Sequence, residues 1–293
     1  MPDRSEDVLI DGVLSAYQLR ARMTDSMRYC GRWHDHDLQA PPGTAWFHLL
    51  DRGACDLRYP GSETPIRMED GDFAVFTRGA AHRLDHAPDW SRPEDVTTML
   101  CGEFRFENAA GQRMLDGLPE LILVRAADAG DAFRRVTELL VAEALTPVFG
   151  SQAVMDKLAD ALFVMSLRHH LAAQPAERGL FAALADPRLR RALDALHAQP
   201  GHDWTVAGLA EIACCSRTVF AERFAEVMGE SPIQYLTHWR MTQAMKLLRD
   251  PRLSVAQVGG MLGYSTEAAF RRSFSRVLGY GPGAFRRGQA GSE

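Results

Sequence analysis

Two stretches near the carboxyl end decide the fold: WTVAGLAEIACCSRTVFAERFAEVMGESPIQYL at residues 204–236 and LSVAQVGGMLGYSTEAAFRRSFSRVLGYGPGAF at residues 253–285. Setting Ser216 against Thr266 brings Phe220 onto Phe270, Phe224 onto Phe274, Val227 onto Val277, Gly229 onto Gly279 and Pro232 onto Pro282, at an offset of 50. Such self-similarity means one supersecondary unit used twice. In each copy a short apolar helix, Val206 to Ile212 or Val255 to Met261, enters a tight turn. Ser216 or Thr266 then caps a second helix through its hydroxyl. The two phenylalanines of that helix lie four apart and bury one face. The opposite face carries Arg217, Thr218, Ala221 and Glu222 in the first copy, and Glu267, Ala268, Arg271, Arg272 and Ser275 in the second. This is the anatomy of a helix-turn-helix, whose second helix enters the major groove of DNA with its N-terminal residues leading. The expected DNA-binding set is therefore Ser216, Arg217, Thr218, Glu222, Thr266, Glu267, Arg271 and Arg272. Arginine suits guanine edges and phosphates; Ser and Thr suit either. The intervening helix, SPIQYLTHWRMTQAMKLLRD, is long enough to hold both reading helices at successive grooves roughly 34 Å apart. That linkage adds avidity without new contacts. Helical amphipathicity alone also fits a protein-binding bundle, but the duplicated cap-and-turn chemistry does not.

From Leu209 to Arg287 these residues resemble the AraC/XylS family of bacterial transcription regulators, with both units in order and correctly spaced. In that family Gly263-Tyr264, Phe270/Phe274, Gly279/Pro282 and Phe285-Arg286 correspond to structural positions. The resemblance implies a sequence-specific regulator, an activator that meets RNA polymerase and pairs as a homodimer. Two features depart from the pattern. Gly259-Gly260 replaces better helix formers, each glycine costing up to roughly 1 kcal/mol relative to Ala. Cys214-Cys215 occupies the first turn, read as small buried residues, with a redox switch as the alternative.

Charge agrees with this division of labour. The chain of 293 residues has a net charge of −5, yet residues 187–293 carry 14 Lys+Arg against 9 Asp+Glu and the remainder 19 against 29. A basic tail on an acidic body is the distribution of a DNA binder with a separate sensing part. The acidic N-terminus has no signal-peptide layout and no apolar run reaches membrane-spanning length, so the expected location is the cytoplasm, without a membrane partner. Five scattered cysteines form no disulfide framework and fit a reducing compartment.

Residues from about 8 to 106 alternate short apolar runs with Gly, Pro and Asp, as in a small antiparallel barrel or sandwich. From Asp131 two amphipathic helices follow, ending near Gln174. The expected fold is α+β. A cupin-like β-barrel or jelly roll with flanking helices forms a sensor domain over 1–178, and an all-α domain of two helix-turn-helix units spans 186–290. PGTAWFHLLDRGACDLRYPG and PIRMEDGDFAVFTRGAAHRLDH resemble the cupin-type arm of AraC-family regulators, with Gly71, Asp72, Gly79 and His82 matching the cupin motif and Thr77 in place of its proline. Jelly rolls of this kind can hold a ligand. Even spacing puts His82 and His86 on one side of a strand; with His48 and Cys101 they make a four-ligand set suited to zinc, with iron or copper next. His34 and His36 head a competing set, set lower because DHDLQAPPG reads as an exposed loop. A bland reading makes these interior histidines and a core cysteine. The function expected is transcription control by a small molecule, metal or oxidant. A cupin metalloenzyme with a helical appendage is the alternative, although no glutamate stands at the usual cupin position. A DNA-repair methyl acceptor is disfavoured by the missing Cys-rich zinc module.

Overall fold

The structure, a computed structural model, describes residues 19–90, 92, 94–106, 114, 115, 117–174 and 176–290. It divides into two compact units, one built from 19–107 and 118–175, the other containing 176–293.

The first unit is a double sheet followed by two helices. Its strands are β1 (Leu19–Cys30), β2 (His34–Asp37), β3 (Thr44–Arg52), β4 (Ala54–Arg58), β5 (Ile66–Glu69), β6 (Phe73–Phe76), β7 (His82–His86), β8 (Val96–Phe106) and β9 (Leu121–Val124). The five-stranded sheet runs β1-β8-β3-β6-β9 and the four-stranded sheet β2-β7-β4-β5, with every recorded pairing antiparallel. Their inner faces share one core, in which Leu50, Ala74, Phe76 and Met99 meet Cys55, Leu57, Met68 and Leu84. α1 (Gly130–Leu145) and α2 (Ser151–Ala173) cover the other face of the larger sheet. There Phe47 stacks on Phe104 at 4.6 Å, Phe104 meets Phe163 of α2 at 4.9 Å, and Phe73 meets Phe133 of α1 at 5.8 Å. β3 is thus buried on both faces, which is why TAWFHLLDR reads as a continuous apolar run instead of alternating.

The edge strand β1 has charged and exposed residues along most of its length; it lies in the stretch expected to be strand-rich, although no run within 19–30 was singled out. Its free edge is satisfied from a distance. Asp160 accepts from the Ala21 amide at 2.6 Å and Asp156 from the Met23 amide at 3.0 Å, so α2 caps an edge that would otherwise pair with another chain.

The second unit is helical: α3 (Gly179–Ala185), α4 (Pro187–Ala198), α5 (Val206–Ile212), α6 (Arg217–Met228), α7 (Pro232–Leu248), α8 (Val255–Met261), α9 (Glu267–Leu278) and α10 (Pro282–Ala290). The sequence reading ended the sensor at 178 and began the tail at 186. The division after 175 falls at the start of the boundary region expected over 175–186, and α3, buried from Leu180 to Leu184, belongs to the helical unit. Met114, Leu115 and Gly117 also cluster there, not with the strands on either side of them in sequence.

The capping chemistry is as read. Ser216 Oγ accepts from Val219 N and Thr266 Oγ1 from Ala269 N, while Thr205 and Ser254 cap the shorter helices before them. Both turns close through a left-handed residue: Gly263 at φ +80° in the second, and Cys214 at φ +54° in the first. Cys214 is exposed, so it is not the small buried residue expected; it occupies a position that glycine adopts more cheaply, on the order of 1–2 kcal/mol for an L residue. Gly259 also has a reason, for a Cβ there would lie 3.0 Å from that of Phe270, whereas Gly260 faces open space.

Within the helical unit, α7 joins the two helix-turn-helix copies over 17 residues, about 26 Å of helix. Its Arg240 donates to the carbonyls of Pro200 at 2.7 Å and His202 at 2.9 Å and lies 5.6 Å from the Tyr264 ring centre. One side chain thereby ties the loop before the first helix-turn-helix to the turn of the second.

Candidate nucleic-acid interface and metal centre

α6 and α9 bury Phe220, Phe224 and Val227, and Phe270, Ser273 and Phe274, respectively. All eight residues of the expected DNA-binding set are exposed. Ser216 and Thr266 use their hydroxyls as caps, leaving Arg217, Thr218 and Glu222 on one outward face. On the other, Arg271 pairs with Glu267 at 2.6 Å, which steers its guanidinium along the helix, and Arg272 stands beside it. The same surface includes Arg276, which the sequence reading passed over although it lies four residues beyond Arg272.

The histidine cluster is built from one cross-strand pair in each sheet. His48 of β3 stands opposite Cys101 of β8, and Asp37 of β2 opposite His82 of β7. Facing each other across the core, the pairs bring His48 Nε2 to 2.6 Å from His82 Nε2. Asp37 Oδ2 lies 3.2 Å from His82 Nε2 and 3.5 Å from His48 Nε2. His82 Nδ1 lies 2.8 Å from the Ala80 carbonyl, and a carbonyl can only accept, so the proton sits on Nδ1 and the Nε2 lone pair points into the cluster. Asp37, His48 and His82 are thus three donors whose ligand atoms fall within 4.8 Å of one another. Two imidazoles and a carboxylate fit a divalent transition metal.

Two members of the expected ligand set are placed differently. His86 shares a side of β7 with His82, as parity required, but four residues of strand put it about 13 Å further along. Its Nδ1 turns to the Trp33 carbonyl at 3.0 Å. Cys101 Sγ lies 3.1 Å from His48 Nδ1, on the opposite side of the ring from His82 and Asp37. His34 and His36 point outward and are exposed, while their neighbours Asp35 and Asp37 turn inward. HDHD is therefore a strand and not a loop, and Asp37 is the ligand that the sequence reading missed. In HDHD the aspartates share one side and the histidines the other, and parity does not say which side faces in.

Burial, reinforced by His82, pushes the His48 pKa down to about 3 against the pull of Asp37. Burial works to raise that of Asp37, but the two imidazoles facing its carboxylate, His82 foremost, hold it below the usual carboxylate range. Burial and three nearby aspartates push the Cys101 thiol well up, so it is a protonated S–H that donates to His48 Nδ1. Beside it Tyr29 stacks on Trp33 at 4.2 Å and donates to Asp35 at 2.5 Å. Asp72 of the cupin motif is structural: it accepts from the Glu69 and Ala126 amides and pairs with Arg125 at 2.7 Å. A separate cleft of about 430 Å³ lies between α1 and the larger sheet, walled by Leu49, Phe133, Val141 and Leu145 with Asp51, Asp70 and Arg134 among its polar groups.

A cupin family model matches residues 7–172 and a helix-turn-helix domain model residues 209–288. An AraC-like transcription regulator from Streptomyces antibioticus is 32% identical over 298 residues, covering 95% of this chain and 98% of that protein. The RCS-specific HTH-type transcriptional activator RclR of Escherichia coli is 29% identical over 259 residues, covering 85% of this chain and 88% of that protein. A solved DNA-binding domain of AdpA, in complex with a target DNA, is 34% identical and covers 36% of this chain and 95% of that one, with a TM-score of 0.34.

Proposed function

The chain belongs to the AraC-like family of DNA-binding transcription regulators, with a cupin domain before the helix-turn-helix units, and we propose that it is an activator gated by its cupin unit. It is a regulator and not a metalloenzyme, as its relatives are. No helix among the described residues is long and apolar enough to cross a membrane, and we place the protein in the cytoplasm.

The observation that carries the DNA-reading half is the pair of capped helices, α6 and α9, each with its phenylalanines buried and its polar face outward on one helical unit. Ser216, Arg217, Thr218, Glu222, Thr266, Glu267, Arg271 and Arg272 are the readers. The sensing half rests on the convergence of Asp37, His48 and His82. These three hold a zinc ion, with Cys101 behind His48 and not on the metal. Bound there, zinc supplies a Lewis-acidic position open to a donor atom of a small-molecule or oxidant effector. Exposed Leu139, Leu145, Val148, Phe149 and Val154, on α1, α2 and the turn between them, support pairing with a second copy. RNA polymerase is the partner that an activator requires.

Transcription in vitro tests this reading. The template carries a promoter that the wild-type chain binds, with zinc added or chelated and RNA polymerase present. Transcript is expected to rise with the protein and to depend on zinc, and Asp37→Asn is expected to bind the promoter yet lose the zinc response. A zinc response intact in Asp37→Asn overturns the metal gate; transcript that falls as protein is added overturns activation.

A further inference from the structure

The two reading helices are not equally cationic. The exposed charged side chains of α9 are Glu267, Arg271, Arg272 and Arg276, whereas α6 sets Arg217 and Arg223 against Glu222 and Glu226. Arg223 is already engaged, with Asp186 at 3.3 Å and Glu226 at 2.9 Å. A helix in a major groove has a phosphate strand on either flank, and contacts to it set register and supply much of the affinity. α6 by itself offers such a strand almost no net charge.

The element beside it does. α4 presents Arg188 and Arg191, three residues apart on one face and both exposed. A groove of about 620 Å³ runs between this face and the start of α6, lined by Arg188, Arg191, Cys215, Val219 and Arg223 among others. Arg191 Nη1 lies 3.2 Å from the sulfur of Cys214, the left-handed residue of the first turn. That contact sets a guanidinium just before Ser216, at the end of α6 that leads into the groove.

We propose that Arg188 and Arg191 form a phosphate clamp, gripping the DNA backbone that flanks the first reading helix. The first head then divides its work between two helices: α4 supplies charge, and α6 reads bases with Arg217, Thr218 and Glu222. An acidic reader such as Glu222, suited to the amino group of cytosine, is tolerable near phosphates because α4 offsets its repulsion. The inference rests on the DNA-binding reading of this unit.

The test uses the full chain and two duplexes, one enriched by the wild-type protein from a random pool and one of scrambled sequence. Affinity for each is measured by fluorescence anisotropy between about 50 and 200 mM salt. Arg188→Gln combined with Arg191→Gln is expected to weaken both duplexes by the same factor. It also lowers the slope of log affinity against log salt by about 1.8, since each phosphate contact contributes about 0.9. Arg188→Gln combined with Arg191→Lys regains about half of that slope, because charge is what the contact needs, and the melting temperature is unchanged in both variants. An unchanged slope in the double variant, or a loss confined to the enriched duplex, overturns the clamp and leaves DNA binding standing. A wild-type chain that binds neither duplex overturns both.

Discussion

At the centre of the sandwich one imidazole has neighbours of two kinds: His48 turns Nε2 toward His82 and Asp37, and Nδ1 toward Cys101. If a metal takes Nε2, the ring keeps its proton on Nδ1, and the sulfur becomes the group that orients the ligand from behind. Cys101→Ser should therefore retain zinc close to the wild-type ratio, and Asp37→Asn should lose most of it, as read by metal analysis after gel filtration. Equal loss in both variants would put the sulfur on the ion. In the helical unit, His197 is buried against Trp239 and bonded to Tyr235 at 2.6 Å, and burial drives its pKa down to about 3. It folds neutral, so its contribution is complete above the unfolded value near 6.5 and is lost as pH falls from there toward 3. Stability should drop by up to about 1.4 kcal/mol per pH unit from this group alone. Denaturant melts at pH 7 and pH 4.5 should show a smaller drop for His197→Phe; an equal drop would assign the pH dependence elsewhere. His48 and His82 were legible because the cupin-like motif and the strand pattern named them. Asp37 was not, since a strand's parity tells which residues share a side but not which side faces in.

Among the elements, the tail helices came out of the sequence with boundaries at Val206–Ile212 and Val255–Met261, because apolar spacing and a hydroxyl cap are local signals. β1 is the opposite case. Its polar residues face solvent, and what satisfies its edge is a pair of aspartates on α2, more than a hundred residues away in sequence. No window along the chain contains both partners. The Gly259-Gly260 pair separates a packing requirement from a plain weakness. Gly260→Ala should stabilise the helical unit by roughly 0.5–1 kcal/mol, whereas Gly259→Ala should give no gain or a loss, because its methyl meets Phe270. Paired denaturant melts read the difference; equal gains would mean that α9 yields freely at this contact.

For the molecule as a whole, the acidic body and basic tail follow the two compact units, whose boundary the change from strand-and-turn to helical texture marks near where packing divides them. What charge did not reveal is that α3 belongs with the tail, since GLFAALA carries none and declares itself only through burial. The regulatory account turns on two heads held at a fixed separation by α7 and Arg240. Arg240→Ala should loosen that separation and weaken a duplex with two half-sites more than one with a single half-site; equal weakening would make Arg240 a stability residue only. The most direct measurement takes the enriched duplex and inserts half a helical turn, about 5 base pairs, between its two protected segments. With both heads on one rigid unit, the insertion rotates one groove out of reach, and affinity at constant salt should fall at least about tenfold. Restoring the full turn should not be needed to see specific binding by one head, but it should be needed to see both. An affinity indifferent to the insertion would contradict the two-head account.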